Sequence, residues 1–125
     1  MSRRTILVVD DQPLNRELVV DLLEPAGYTV LEAEDGVDLL ERVQREHPDL
    51  ILLDLKLPGP DGFTLARQLK AHPATRGVPV VAVTADLLPD KRAWALEAGC
   101  DGYLQKPLDP RELLEVVTRL LARGG

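Results

Sequence analysis

Short apolar runs alternate with amphipathic stretches five times along the chain. The runs are Ile6 to Val9, Tyr28 to Leu31, Leu50 to Leu53, Val78 to Val83 and Gly102 to Leu104. Most are rich in Val, Ile and Leu, with little polar alternation. That pattern predicts strands covered on both faces, as in a parallel sheet with helices on either side. Helices fit between the runs. The first begins near Pro13, a residue suited to an opening turn, after Asp11 or Gln12. Leu14, Leu18 and Leu22 recur at intervals of four, Val19 and Leu23 widen the stripe, and Gly27 supplies the stop. The second follows Asp35 as N-cap, carries Val37, Leu40 and Val43 on one face, and ends at Pro48. The third starts near Gly62 with Phe63, Ala66 and Leu69. The fourth lies between Pro89 and Gly99 and has the weakest stripe. The fifth follows Asp109-Pro110 and buries Leu113, Val117 and Leu120. Alternating βα units with short connections imply right-handed crossovers, and five units are too few for an eight-fold barrel. The expected fold is α/β: an open, doubly wound, five-stranded parallel sheet in the flavodoxin-like order 2-1-3-4-5, with five helices.

Composition narrows the function classes. The 125 residues fit one domain, expected to span 1–125 with a core from about 5 to 121 and no output domain. A net charge of -6 argues against direct contact with nucleic acid, whose phosphates recruit basic surfaces. The single cysteine, Cys100, forms no internal disulfide and reads as a small buried apolar residue. No apolar run is long enough to span a bilayer, and Asp10 and Asp11 interrupt the N-terminus before a signal-peptide core can develop. The expectation is a cytoplasmic protein without membrane contact.

The chemistry lies at the strand ends. In open α/β sheets, ligands bind beyond the carboxyl ends of the strands, near the switch point. Asp10 and Asp11 follow the first strand, Asp54 ends the third, Thr84 ends the fourth, and Lys106-Pro107 follows the fifth. With the first and third strands adjacent, Asp10, Asp11 and Asp54 converge, flanked by Thr84 and Lys106. Crowded carboxylates raise one another's pKa, and a divalent cation reverses this. Mg²⁺ takes one or two carboxylates together with phosphate oxygens. Asp54 then has the position of a nucleophile toward a phosphoryl group, giving an aspartyl phosphate. Lys106 and the Thr84 hydroxyl suit the phosphoryl oxygens. Singly, each residue has a plainer explanation: Asp10 or Asp11 a helix cap, Asp54 a turn residue, Thr84 a strand-end hydroxyl, Lys106 a solvated lysine. Their joint placement favours the site.

Val8-Val9-Asp10-Asp11, Leu53-Asp54, Leu57-Pro58-Gly59-Pro60-Asp61-Gly62, Val83-Thr84-Ala85 and Lys106-Pro107 together resemble the receiver-domain signature of two-component response regulators, over about Thr5 to Leu121. The resemblance is closest to single-domain receivers and to those attached to hybrid kinases. It implies that Asp54 is the phosphoacceptor, that Asp11 ligates Mg²⁺ directly and Asp10 through water, and that the Lys56 backbone carbonyl is a further ligand. It also implies that Thr84 is the switch hydroxyl, that Lys106 pairs with the phosphoryl group, that Tyr103 is the switch aromatic, and that the Lys106-Pro107 bond is cis. The Lys56 side chain and Asp86 resemble positions that tune dephosphorylation. The implied partners are a sensor histidine kinase or histidine phosphotransfer protein, a downstream protein target, and a second copy in a phosphorylation-dependent homodimer. Leu14, Asn15 and Leu18 are the candidate contacts for a partner's phosphohistidine, and the surface of the fourth helix, fifth strand and fifth helix is the one remade. Such a protein is no enzyme toward others; it catalyses only its own phosphorylation and dephosphorylation.

Rival functions lack their residues. Neither Gly-x-x-x-x-Gly-Lys-Ser/Thr nor Gly-x-Gly-x-x-Gly follows a strand. An FMN carrier needs a hydroxyl-rich first loop, where Asp10-Asp11 stands. An Asp-nucleophile phosphatase usually has an acid at the place of Lys56. The remaining alternative is a receiver-fold interaction module that works without phosphorylation. Trp94 reads as a partly buried packing residue, His47 and His72 as surface residues, and Glu32 to Asp35 as a solvated loop and helix cap.

Overall fold

The computed structural model describes residues 3–57, 61–85 and 89–124. Five strands and five helices alternate: β1 (Thr5–Val9), α1 (Pro13–Leu23), β2 (Thr29–Ala33), α2 (Leu39–Glu46), β3 (Leu50–Asp54), α3 (Gly62–Ala71), β4 (Val80–Thr84), α4 (Pro89–Glu97), β5 (Gly102–Gln105) and α5 (Pro110–Gly124). All pairings are parallel, and the strand order is β2-β1-β3-β4-β5, the expected doubly wound sheet. Among the described residues, no helix is long and apolar enough to cross a membrane.

The near-continuous apolar runs exist because both faces of the sheet are covered. Successive strand residues point to opposite faces. Leu7, Val9, Ile51, Leu53, Val80 and Ala82 pack with Leu39 and Val43 of α2, Leu65, Ala66 and Leu69 of α3, and Ala95 of α4. The alternating set, Ile6, Val8, Leu50, Leu52, Val81 and Val83, packs with Val19 and Leu23 of α1 and with Leu113, Val117, Leu120 and Leu121 of α5. Each fully buried Leu or Ile contributes roughly 1.5–3 kcal/mol through burial. The central strand β3 is buried at all five positions, whereas edge strand β2 is only half-buried.

Two helices differ from the sequence expectation. On α1 the buried residues are Val19 and Leu23, while Leu14 is 77% and Leu18 37% exposed. The leucine stripe is thus rotated outward, with Val19 and Leu23, one position on, facing the sheet. Gly27 does lie beyond the helix end at φ 103°, in the left-handed region that glycine tolerates. On α2 the helix starts at Leu39. Asp35 is no cap: its Oδ1 accepts the Val37 amide in a local turn, and Val37 is exposed. Leu39 and Val43 form the buried face, and His47 in left-handed conformation, followed by Pro48, closes the helix. Glu32 and Ala33 belong to β2 rather than to a solvated loop.

Elsewhere the expectations hold. Asp61 caps α3, its Oδ1 accepting the Thr64 amide at 2.8 Å. α5 buries Leu113, Val117 and Leu120, and Cys100 is a buried thiol. Trp94 is 44% exposed and meets Phe63 edge-to-face at 6.1 Å. His47 is exposed, and the half-buried His72 accepts the Ala74 amide on Nδ1.

Candidate functional site

The chain leaves β1 toward one face of the sheet and β3 toward the other. α1 packs on one layer, α3 on the opposite one. The crevice at this switch point lies beyond the carboxyl ends of two adjacent strands. Parallel register places Val9 beside Leu53, so Asp10 emerges next to Asp54. Both carboxylates are 4% exposed, while Asp11 faces solvent. One oxygen from each of Asp10, Asp11 and Asp54 lies within 4.8 Å of the others. An open cleft of about 470 Å³ runs past Asp11, Gln12, Asn15, Asp54, Lys56 and Lys106.

Backbone geometry fixes each acid. The Asp10 amide donates to the Ala33 carbonyl at 3.0 Å, carrying the β1 ladder one residue past the strand. Asp10 Oδ1 accepts the Gln12 amide at 2.9 Å, and Asp54 Oδ1 accepts the Lys56 amide at 2.9 Å. Past Asp54 the chain packs tightly against the start of α3. A Cβ on Gly62 would sit 2.6 Å from both the Asp54 carbonyl oxygen and the Leu55 Cα. Glycine is required there because backbone approaches backbone.

Lys106 holds the cluster together. Its Nζ lies 2.9 Å from Asp10 Oδ2 and 3.0 Å from Asp54 Oδ2, with a side chain only 15% exposed. The Lys106 amide bonds the Thr84 carbonyl at 2.8 Å, tying the β5 end to β4. The Lys106-Pro107 peptide is cis, as the resemblance implied. Burial pushes the Asp54 pKa up from 3.8, helped by the charge of Asp10; the Lys56 amide and Lys106 pull it down without cancelling the rise. For Lys106 burial alone favours the neutral amine, yet hydrogen bonds and charge from Asp10 and Asp54 outweigh it and raise its pKa above 10.5.

Thr84 is buried at the end of β4. Tyr103 pairs with Ala82, two residues before Thr84, and packs half-buried on the same layer as Ala82. Residues two apart share a face, so Thr84 and Tyr103 are diagonal neighbours on one side of the sheet. The structure thus gathers Asp10, Asp11, Asp54 and Lys106 at one point, with Lys56 lining the cleft. Asp86 and Pro58 to Pro60 lie outside the described residues.

The donor set is suited to a hard divalent cation. All three acids offer oxygen, and one oxygen of each converges on the same point. Three carboxylates at −3 and one ammonium at +1 leave a local charge of −2.

Sequence inspection missed Arg16. Its guanidinium is 15% exposed, donates from Nη1 to the Asp10 carbonyl at 2.6 Å, and reaches Glu32 Oε1 from Nε at 3.2 Å. Nothing local signals it, because its partners lie 6 and 16 residues away.

Comparison with known proteins adds an independent line. The response regulator receiver domain profile matches residues 6–118. The phosphate regulon transcriptional regulatory protein PhoB of Pseudomonas aeruginosa is 42% identical over 125 residues, covering all of this chain and 55% of that protein. The chain therefore spans about half the length of that relative. Protein PilH of the same organism is 37% identical over 117 residues, 94% of this chain and 97% of PilH. Among solved structures, the receiver domain of sensor histidine kinase PA1611 from Pseudomonas aeruginosa superposes with a TM-score of 0.88 at 34% identity, covering 97% of this chain and 99% of that one. That structure carries a magnesium ion coordinated in its active site cleft. Profile, relatives and fold agree: this chain belongs to the response regulator receiver domain family of two-component signalling.

Proposed function

We propose that this receiver takes a phosphoryl group onto Asp54 in a Mg²⁺-dependent reaction and, so modified, signals to a protein partner. The observation that carries the reading is the contact of Lys106 with both Asp10 and Asp54 inside a three-acid cluster at the switch point. Asp11, Asp10, Asp54 and the Lys56 carbonyl are the residues that would hold the ion. When bound, it would neutralise charge on the carboxylates and on the entering phosphoryl oxygens.

The donor is a phosphohistidine of a sensor kinase or phosphotransfer protein. Asp54 attacks phosphorus in line; the P–N bond breaks, and its electron pair returns to the imidazole. Catalysis is mainly positioning and charge stabilisation. Lys106 keeps a carboxylate oxygen of Asp54 in place and then pairs with the phosphoryl oxygens. The exposed Leu14 and Leu18, with Asn15 between them, are the candidate docking contacts beside the cleft. Thr84 then turns toward the phosphoryl group and Tyr103 toward the space it leaves. This shifts a two-state equilibrium that remodels the α4, β5 and α5 surface. Lys56, at the cleft wall, occupies a position resembling those that tune dephosphorylation. The chain acts on no other substrate. In this reading the receiver works in the cytoplasm through protein contacts, a phosphorylation-dependent homodimer among them.

Intact mass after incubation with acetyl phosphate tests the reading. One added phosphoryl group is expected, dependent on Mg²⁺ and absent in Asp54→Asn. Absence of that gain, together with failure to bind beryllofluoride, would leave the phosphorylation-independent interaction module.

A further inference from the structure

Every polar group of Asp10 is committed. Its amide bonds Ala33, Oδ1 takes the Gln12 amide, Oδ2 faces Lys106, and its backbone carbonyl accepts Arg16 Nη1 at 2.6 Å. The last contact matters because a planar peptide joins Asp10 to Asp11. Holding that carbonyl fixes the tilt of the peptide plane, and with it the directions in which Asp10 and Asp11 leave the backbone. The start of α1 adds one local tie, the Gln12 amide on Asp10 Oδ1, and no side-chain capping bond from Gln12.

Arg16 is itself anchored. Its Nε bonds Glu32 Oε1 on β2, and the Glu32 carbonyl accepts Arg42 Nη1 of α2 at 2.8 Å, while Arg42 also pairs with Glu46. A planar guanidinium with donors along two directions can span from a loop carbonyl to a carboxylate on the neighbouring strand; an ammonium on a flexible stem cannot match that fork. We propose that Arg16 is a positioning residue for the acidic site, presetting the Asp10–Asp11 peptide so that both carboxylates meet Asp54 in the arrangement a divalent cation requires. This rests on the reading of that cluster as a Mg²⁺ site.

The sign of one measurement separates positioning from charge. Arg16 is a cation near three acids, so a purely electrostatic role makes its removal tighten Mg²⁺. Positioning makes removal weaken it. Mg²⁺ affinity is measured by calorimetric titration, and Mn²⁺ binding by its paramagnetic resonance signal, on wild type, Arg16→Ala, Arg16→Lys and Glu32→Gln, each with its melting temperature in chelator. The expected result is a loss of about 10-fold or more in affinity for Arg16→Ala, in the range seen when outer-shell partners of metal ligands are removed. Arg16→Lys does not restore it despite the retained charge, and Glu32→Gln gives a smaller loss in the same direction. Unchanged or tighter binding in a folded Arg16→Ala overturns the proposal. So does a falling melting temperature with full affinity in Glu32→Gln and Arg16→Lys, which marks a structural role only. Wild type that binds neither ion overturns this proposal and the Mg²⁺ reading together, whereas normal wild-type binding with an unaffected Arg16→Ala removes this proposal alone.

Discussion

Two half-buried lysines hold aspartates at opposite ends of the same sheet, and the two arrangements differ in balance. At the amino end, Lys70 Nζ bonds Asp101 Oδ2 at 2.6 Å and the Val78 carbonyl at 2.9 Å, and the same Asp101 oxygen accepts the Val80 amide at 2.9 Å. One cation meets one anion, and the remaining bonds go to the backbone at the start of β4. At the carboxyl end, Lys106 stands against Asp10 and Asp54 with Asp11 alongside, one ammonium against three carboxylates, while the Arg16 guanidinium sits on the Asp10 carbonyl. The first lysine is a closed fastening between α3 and two strands. The second leaves an excess of negative charge that a fastening does not need. The lysines are similarly buried, 18% against 15% side-chain exposure, but Asp101 is 38% exposed whereas Asp10 and Asp54 are 6% and 5%, so stoichiometry and carboxylate burial together set the second arrangement apart.

Exchanging each lysine for methionine sharpens the contrast most. Lys106→Met should slow phosphorylation of Asp54 by roughly 100-fold, as loss of a preorganised charge partner does, and should enlarge the rise in melting temperature on adding Mg²⁺. Lys70→Met should lower stability by about 1–3 kcal/mol, from a lost charge-assisted hydrogen bond and an Asp101 left to the Val80 amide, and should leave the phosphorylation rate unchanged. Equal slowing by both variants, in rapid-quench measurements with acetyl phosphate, would erase the distinction.

Gly62→Ala tests whether the acidic end is held by backbone fit. A new Cβ at 2.6 Å from the Asp54 carbonyl forces the backbone to shift, costing roughly 1–3 kcal/mol in chemical denaturation and slowing acyl phosphate formation. A fully stable and fully active variant would mean that the close approach has no part in placing Asp54.

Proton linkage, followed by denaturation in chelator, gives a smaller effect. Lys106 has its pKa raised in the fold, so its contribution is complete below pH 10.5 and is lost as pH rises through the folded value. The stability difference between wild type and Lys106→Met should therefore shrink in that alkaline window. Asp54 carries the opposite sense for a carboxylate. Its raised pKa makes the native state bind the extra proton just above pH 3.8, so its contribution becomes less favourable as pH climbs through that window. Asp54→Asn should accordingly gain stability over wild type there, and a variant that lost stability instead would contradict the sign. The smallest effect concerns Cys100. Burial pushes its thiol up to about 11, with Asp101 adding to the rise, so alkylation of the native protein at pH 8 should be far slower than in denaturant, where the same thiol is free.

What the sequence revealed follows from the physics of each element. The strands were legible because two-sided burial demands unbroken Val, Ile and Leu, and the site because chemistry-bearing residues interrupt those runs at one end. α1 was misjudged because its apolar residues cover more than one face. Leu14 and Leu18 fit the four-residue interval, but Val19 and Leu23 face the sheet, and only tertiary contact decides between them. α2 began three residues later than Asp35 suggested, since an aspartate that closes a local turn looks the same in sequence as one that caps a helix. Arg16 was invisible for a different reason. Its role exists only once β1, α1 and β2 are assembled, and an exposed arginine on a helix reads identically.

Lys106 also changes what occupancy means at this site. The ammonium is an internal counterion, already seated on two of the three carboxylates. A divalent cation binding here would meet carboxylates that Lys106 already contacts, so its affinity would be set against that ion pair rather than against bare anions. The oxygens of an incoming phosphoryl group would offer the same ammonium further acceptors. A side chain that restrains the cluster would thereby also favour its phosphorylated form.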